Sequence, residues 1–296
     1  MTSRGCPYRC IYCPVGLTSG KKMRLRSARN IYREIEYWYS QGYRSMDLWD
    51  DNFTISSKRV HEFCDMLLAG KMKDLCLNVP NGIRADCVDR ELLKKMKASG
   101  FRKIAFGVEG GNDKILRRLK KGERMESIEK AIKNACEIGF DVVLFFIIGT
   151  PGESWEDIED SFRLAGKYPV AAANFYNLIP FPKTELFEWV NANGYLLMSP
   201  EKYLSSASQF ANEPCFQTPE LSASDRKKAF VQANRISKKV KAEWVKRKFS
   251  KSGLLSVFLS IIYTNETFNR LLFRKRGVYK FIEIAKQLLL KERKLW

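Results

Sequence analysis

Residues 5–14, Gly5-Cys6-Pro7-Tyr8-Arg9-Cys10-Ile11-Tyr12-Cys13-Pro14, set three cysteines at Cys-x-x-x-Cys-x-x-Cys spacing in one short loop. Thiolates this close can converge on one inorganic cluster, and a 4Fe-4S cube ordinarily takes four cysteine ligands. A loop that supplies three leaves one iron open, much as a catalytic zinc site leaves one position free of protein. The pattern points to chemistry rather than to scaffolding. Two other readings compete. A structural zinc site is closed by four Cys or His ligands, but the chain has one histidine, His61, and Cys64, Cys76, Cys87, Cys136 and Cys215 are scattered singly. A disulfide framework belongs to small secreted chains, and a 296-residue sequence with no signal-peptide pattern at its start does not match it.

The cysteine spacing, the aromatic Tyr12 just before the third cysteine and the lead-in Thr2-Ser3-Arg4-Gly5-Cys6-Pro7 resemble the radical S-adenosylmethionine superfamily. The resemblance implies that Cys6, Cys10 and Cys13 bind a 4Fe-4S cluster whose fourth iron is chelated by the amino and carboxylate groups of S-adenosylmethionine. It further implies reductive cleavage of the sulfonium to methionine and a 5'-deoxyadenosyl radical, with Tyr12 near the adenine. The resemblance covers residues 2 to about 190.

The rest of the chain reads as strand, loop and helix repeated every roughly 25 to 35 residues, the pattern of βα units with a parallel sheet. Ser27 precedes Ile31, Ile35, Trp38 and Tyr39 at helical spacing, with Gly42 as the stop. Strands are expected over 43–49, 75–79, 103–108, 140–148 and 170–179, with helices opened by Ser56 or Ser57, Asp89 and Ser154. The run Phe140–Ile148 is almost wholly apolar, as a strand buried on both faces should be. The expected fold is α/β, a partial TIM-like (β/α)6 barrel lacking most of its first strand, because only Met1 to Ser3 precede the cysteine loop. The expected domains are the barrel over 1–198, a linker or lid over 199–221 and a basic helical region over 222–296.

Each unusual loop follows a strand, the end at which barrel enzymes place their active sites. Asp50-Asp51-Asn52 resembles the subgroup allied to cobalamin-binding enzymes, and implies Asp50 or Asp51 as acceptor for the cofactor's ammonium; the plain alternative is a turn. Glu109 in Gly107-Val108-Glu109-Gly110-Gly111 is an acid among glycines at a strand end, and the resemblance, which places the ribose at the end of the fourth strand, implies it as the ribose candidate. Arg84 could clamp a carboxylate with its planar fork, or lie on the surface. Gly149-Thr150-Pro151-Gly152-Glu153 resembles the family's fifth-strand motif, which implies that Gly149 lets backbone pack on the adenine, while Glu153 starts the next helix, where negative charge suits the dipole. Pro180-Phe181-Pro182-Lys183-Thr184 resembles the family's Pro-x-Pro-Gly-Thr loop, with Lys183 where glycine is usual.

Composition, 45% hydrophobic and 12% aromatic, is that of a globular protein. The free cysteines and the lack of an apolar run long enough to span a bilayer fit a reducing cytoplasm. Net charge is +19, and residues from Arg226 to Trp296 hold 20 Lys and Arg against 4 Asp and Glu. That tail fits either a solvated helical cap or contact with an anionic surface, including peripheral binding to the inner membrane face. The last helix, from about Val278, carries Phe281, Ile282, Ala285, Leu288 and Leu289 on one face. Expected partners are a small-molecule or lipid-like substrate and an electron donor such as reduced flavodoxin or ferredoxin, with cobalamin supplied from outside the chain as a further candidate cofactor. The alternative for the whole chain is a zinc-stapled basic nucleic-acid-binding protein without catalytic activity, although the charge avoids the cysteine-loop domain. No Gly-x-Ser-x-Gly elbow supports a hydrolase.

Overall fold

A computed structural model describes residues 1–205 and 213–248. The apolar run Gly253–Tyr263 and the last helix expected from Val278 lie outside the described residues. The chain divides into two compact units, Met1–Val240 and Lys241–Trp296.

The first unit is a curled, all-parallel sheet of five strands in chain order, β3 (Ser45–Asp47), β4 (Cys76–Ile83), β5 (Phe101–Glu109), β6 (Asp141–Ile148) and β7 (Ala172–Asn177). Helix α2 (Ala28–Ser40) leads into β3, and α3 (Ser57–Ala69), α4 (Arg90–Ala98), α6 (Met125–Ile138) and α7 (Trp155–Lys167) make the four crossovers, with the short α5 (Asp113–Arg118) before α6. Parallel strands require such crossovers, and a helix is the usual one. The helices start where the sequence places capping oxygens. Ser27, Ser56, Asp89 and Ser154 each accept an amide from the first turn, and Asp157 completes a capping box with Ser154.

The main core lies between sheet and helices, where Ile31, Phe63, Leu77, Leu92, Phe106 and Ile132 are at most 1% exposed. Trp38, expected on the core stripe of α2, is 42% exposed instead and stacks edge-on against Tyr37 and Tyr43. A groove of about 360 Å³ follows the open edge of β3 between Ile35, Trp38, Tyr43 and Met46. It contains none of the three loop cysteines.

The sixth strand of the expected barrel is not in the sheet. Ser3–Arg4 forms a two-residue strand, β1, paired antiparallel with β2 (Arg24–Leu25) on the far side of the cysteine loop. A side chain does the work of the missing ladder. The Asp50 carboxylate accepts from the Thr2 amide and hydroxyl and from the Ser3 hydroxyl at 2.7 Å, while Arg59 lies 3.9 Å away and donates to Thr2 O at 3.0 Å.

The described residues between 199 and 221 pack against the barrel. Helix α8 (Glu185–Ala192) leads to α9 (Pro200–Ser205), whose buried Tyr203 donates to Pro180 O at 2.7 Å, and Leu196 bridges Phe216. Tyr203, Cys215 and Phe216 join Ile11, Leu119 and Ile147 in a second apolar cluster. Helix α10 (Ala223–Lys248) then begins, with Ser222 accepting from the Asp225 amide at 3.1 Å.

Lys183 keeps the backbone shape of the residue it replaces. Its φ of +68° is left-handed, a region that costs a side-chain-bearing residue about 1–2 kcal/mol. The loop thus retains glycine geometry without glycine. Replacing Lys183 by Gly should relieve that strain, partly offset by the greater freedom of glycine in the unfolded chain. We expect Lys183→Gly to stabilise the protein by about 0.5–1 kcal/mol, read as a higher urea midpoint at unchanged slope.

Candidate active site

The cysteine loop sits at the carboxyl ends of the strands and is held there by its own backbone. Ile11 donates to Leu119 O at 3.1 Å, at the end of α5 between β5 and β6, and accepts from the Leu186 amide at 3.0 Å, in the first turn of α8 after β7. The side chain of Ile11 is buried in the second apolar cluster. Cys13 closes a turn on Cys10 O at 3.2 Å, and its thiol receives the Val15 amide from the start of the short helix α1 (Val15–Thr18).

Cys6, Cys10 and Cys13 are all free and partly exposed. Cys13 is the electrostatic neighbour of both others. Among the described residues no three Cys, His, Asp or Glu side chains are grouped as ligands of one ion. A cube binds each cysteine at a different iron, so its three sulfurs stand farther apart than the ligands of a single zinc. The donor set fits a cluster of that kind: three thiols, an amide donating to sulfur, and a buried lysine, Lys121, whose field reaches Cys10 and Cys13. Burial pushes the Cys10 thiol up to about 11 against the pull of Lys121, and pushes Cys13 up against the pull of the Val15 amide. Metal binding therefore displaces protons from these sulfurs.

Glu109 ends β5 at a shift of register against β6, with φ at +69°. A bulge of this sort re-aims a side chain, and here it turns the carboxylate towards the cysteine loop. Lys121 Nζ lies 3.0 Å from Glu109 Oε1 and 3.2 Å from Glu123 Oε2. The Tyr12 phenol faces Glu109, and burial first, then the Glu109 charge, hold it well above the usual tyrosine range. Tyr12, Glu109 and Lys121 thus form one connected group beside Cys10 and Cys13.

Four sequence expectations are corrected by the packing. Asp50 is fully buried and its oxygens are taken by Thr2 and Ser3, so it holds the amino-terminal segment and is not open to an ammonium. Asp51 accepts the Gly5 amide at 2.8 Å and keeps a partly exposed carboxylate. Beside it, the buried amide of Asn52 makes no hydrogen bond and has capacity for a polar partner. Arg84 is 7% exposed and already engaged: it forks onto Asp86 at 3.0 and 2.7 Å, donates to Lys121 O at 2.6 Å and lies over the Tyr8 ring. It braces the cysteine loop through Tyr8 and is no free clamp.

Gly149 makes room for a side chain and not for adenine. A Cβ there would stand 2.2 Å from Cζ of Arg226, which reaches in from α10 to donate to Phe216 O at 2.6 Å and Ile148 O at 3.0 Å. Glu153 is not a dipole residue at a helix start. It is fully buried and folds back, with Oε2 accepting the Gly149 and Thr150 amides at 2.6 and 3.0 Å. Burial raises its carboxyl to about 7, against the pull of those amides and of Arg226.

Lys121, Glu123 and Arg226 were not singled out by the sequence reading. Lys121 lies in a Lys-Lys-Gly turn that looks solvated. Arg226 does carry a signal, because it heads the stripe Ala229, Phe230, Ala233 and Val240, all buried, on an otherwise basic helix.

A parallel half-barrel with a three-cysteine loop at the carboxyl ends of its strands is the arrangement that the resemblance to radical S-adenosylmethionine proteins implies. The chain belongs to the Radical SAM superfamily, whose family model matches residues 1–165. It is 33% identical over 205 residues to an uncharacterized methyltransferase of Pyrococcus horikoshii, covering 69% of this chain and 44% of that one. It is 31% identical over 215 residues to the cytidylyl-2-hydroxyethylphosphonate methyltransferase of Streptomyces wedmorensis, covering 69% and 39%. The fold matches TsrM of Kitasatospora setae, a radical S-adenosylmethionine methyltransferase with cobalamin and a [4Fe-4S] cluster bound, at a TM-score of 0.60 and 20% identity over 77% of this chain and 46% of that one. The chain therefore spans less than half the length of these three proteins. A zinc-stapled nucleic-acid-binding protein finds no support in these comparisons. No helix among the described residues is long and apolar enough to cross a membrane.

The Glu153 carboxyl gives stability a pH dependence. Its folded pKa, about 7, lies above the ordinary 4.5, so between those values the folded state binds more protons than the unfolded one and stability falls as pH rises. We expect Glu153→Gln to remove a decline on the order of 2 kcal/mol between pH 5 and pH 8, measured as the change in urea midpoint for the two proteins.

Proposed function

We propose that this chain cleaves S-adenosylmethionine reductively at a 4Fe-4S cluster held by Cys6, Cys10 and Cys13, and directs the product at a substrate for methyl transfer. One observation carries the reading: a three-thiol loop clamped through Ile11 at the carboxyl ends of the strands, with Glu109 and Tyr12 gathered beside it. When bound, the cluster supplies an electron and an open iron, and the cleavage product is a 5'-deoxyadenosyl radical.

The chain's own residues bind and orient. Glu109 is the acceptor for ribose hydroxyls, fixed in direction by Lys121 and by its own backbone at φ +69°. Tyr12 would lie near the adenine. Asp51 and the unpartnered Asn52 amide are the polar groups for the amino-acid end of the cofactor, in place of Asp50. Methyl transfer as the outcome rests on the relatives' names, and it assigns cobalamin to a polypeptide or domain beyond these residues. The electron comes from a small reduced redox protein of the flavodoxin or ferredoxin type, and the substrate is a small or lipid-like molecule. The basic charge after Arg226 supports an anionic surface as partner.

Anaerobic reconstitution with iron and sulfide tests the reading. About four irons per chain and release of 5'-deoxyadenosine under strong reductant are expected, with both lost in Cys10→Ala. Stoichiometric zinc and no cleavage would contradict it.

A further inference from the structure

Lys120 and Lys121 are neighbours with opposite fates. Lys120, at φ +51°, points outward and pairs with Glu185 on the surface, each side chain more than half exposed. Lys121 turns inward, its side chain 5% exposed. Burying an ammonium costs several kcal/mol unless charges nearby repay it, so its position calls for an account.

Two carboxylates touch Lys121, but they are not equivalent. Glu123 already has other partners: Arg84 lies at 3.8 Å, and the Ala85 and Asp86 amides donate to it at 2.7 and 3.3 Å. Among the described residues the Glu109 carboxylate is hydrogen-bonded by Lys121, with the Tyr12 phenol in its field. Gly107 leaves space for this pair, since a Cβ there would lie 2.6 Å from Glu109 Oε1 and 3.3 Å from Lys121 Nζ. On its other side Lys121 acts on Cys10 and Cys13. The bond from Ile11 to Leu119 O, two residues before Lys121, ties the cysteine loop to the same turn.

We propose that Lys121 and Glu109 are an opposed pair of positioning residues that set the reduction potential of the cluster: Lys121 stabilises the reduced, more negative state and Glu109 disfavours it. The inference rests on the cluster reading above. Cluster potentials respond to net charge, to hydrogen bonds at sulfur and to exposure, and this pair supplies two fixed charges of opposite sign within the protein's low-dielectric interior. Removing the cation leaves the added electron less stabilised. Removing the anion does the reverse.

The test is an EPR-monitored redox titration of the reconstituted full chain without S-adenosylmethionine, with iron quantified first. In Lys121→Met the ratio of reduced to oxidised cluster at the wild-type midpoint should fall roughly tenfold, about 59 mV for a one-electron couple. Glu109→Gln should shift the midpoint upward, and the double variant should return close to wild type. Loss of packing would move every variant the same way, so the opposite signs separate charge from damage. If Lys121→Met fails to fold, Glu109→Gln decides alone, and an unchanged or lowered midpoint overturns the proposal. Iron-loaded variants that share the wild-type potential also overturn it, whereas absence of iron from the wild type removes the cluster reading on which it stands.

Discussion

Two main-chain hydrogen bonds at Ile11 hold the site together. The short loop that carries the three thiols has no ladder to the sheet, so its place depends on the contacts made by its own residues. The amide and carbonyl of Ile11 reach the end of α5 and the first turn of α8, and its side chain enters the cluster that includes Leu119, Leu186 and Phe216. The sulfurs are thereby referred to the rigid ends of the sheet. Positions of this kind are what an open-site cluster needs, because catalysis through it depends on where a bound cofactor lies.

The rim around the loop is rich in buried charge, and most of it is internally answered. Asp50 fastens residues 2 and 3 where a sheet ladder is missing, and Arg84 braces the turn at Lys121 and the ring of Tyr8. Arg226 closes the ends of β6 and β7 through carbonyls of Ile148 and Leu178. Broken singly, such links leave charges or donors without partners in a dry interior, which costs more than the bonds contribute when intact. The same bookkeeping isolates the groups with spare capacity: Glu109, Asp51 and Asn52 beside the cysteines.

Much of the architecture is legible in the sequence because it rests on local signals. Ser27, Ser56, Asp89 and Ser154 cap the helices expected of them, and the apolar run 140–148 is a central strand. The cysteine loop is legible for the same reason, since its ligands are contiguous. What the sequence conceals depends on distant partners. A carboxylate at a strand end reads alike whether it faces a cofactor or Thr2, and only the fold separates Asp50 from Asp51. Gly149 signals close approach, yet the approaching group, Arg226, lies 77 positions later in a basic helix. Lys183 hides a glycine geometry that no residue-type rule reveals.

The central claim is that three cysteines hold a cluster and leave one iron to the cofactor. Mössbauer spectroscopy on 57Fe-reconstituted protein addresses it directly, with and without S-adenosylmethionine. The account predicts a 4Fe-4S signature in which one iron of the four changes its isomer shift and quadrupole splitting when the cofactor is added. Four irons that remain equivalent with the cofactor present, or iron that is not in a cluster, would contradict it.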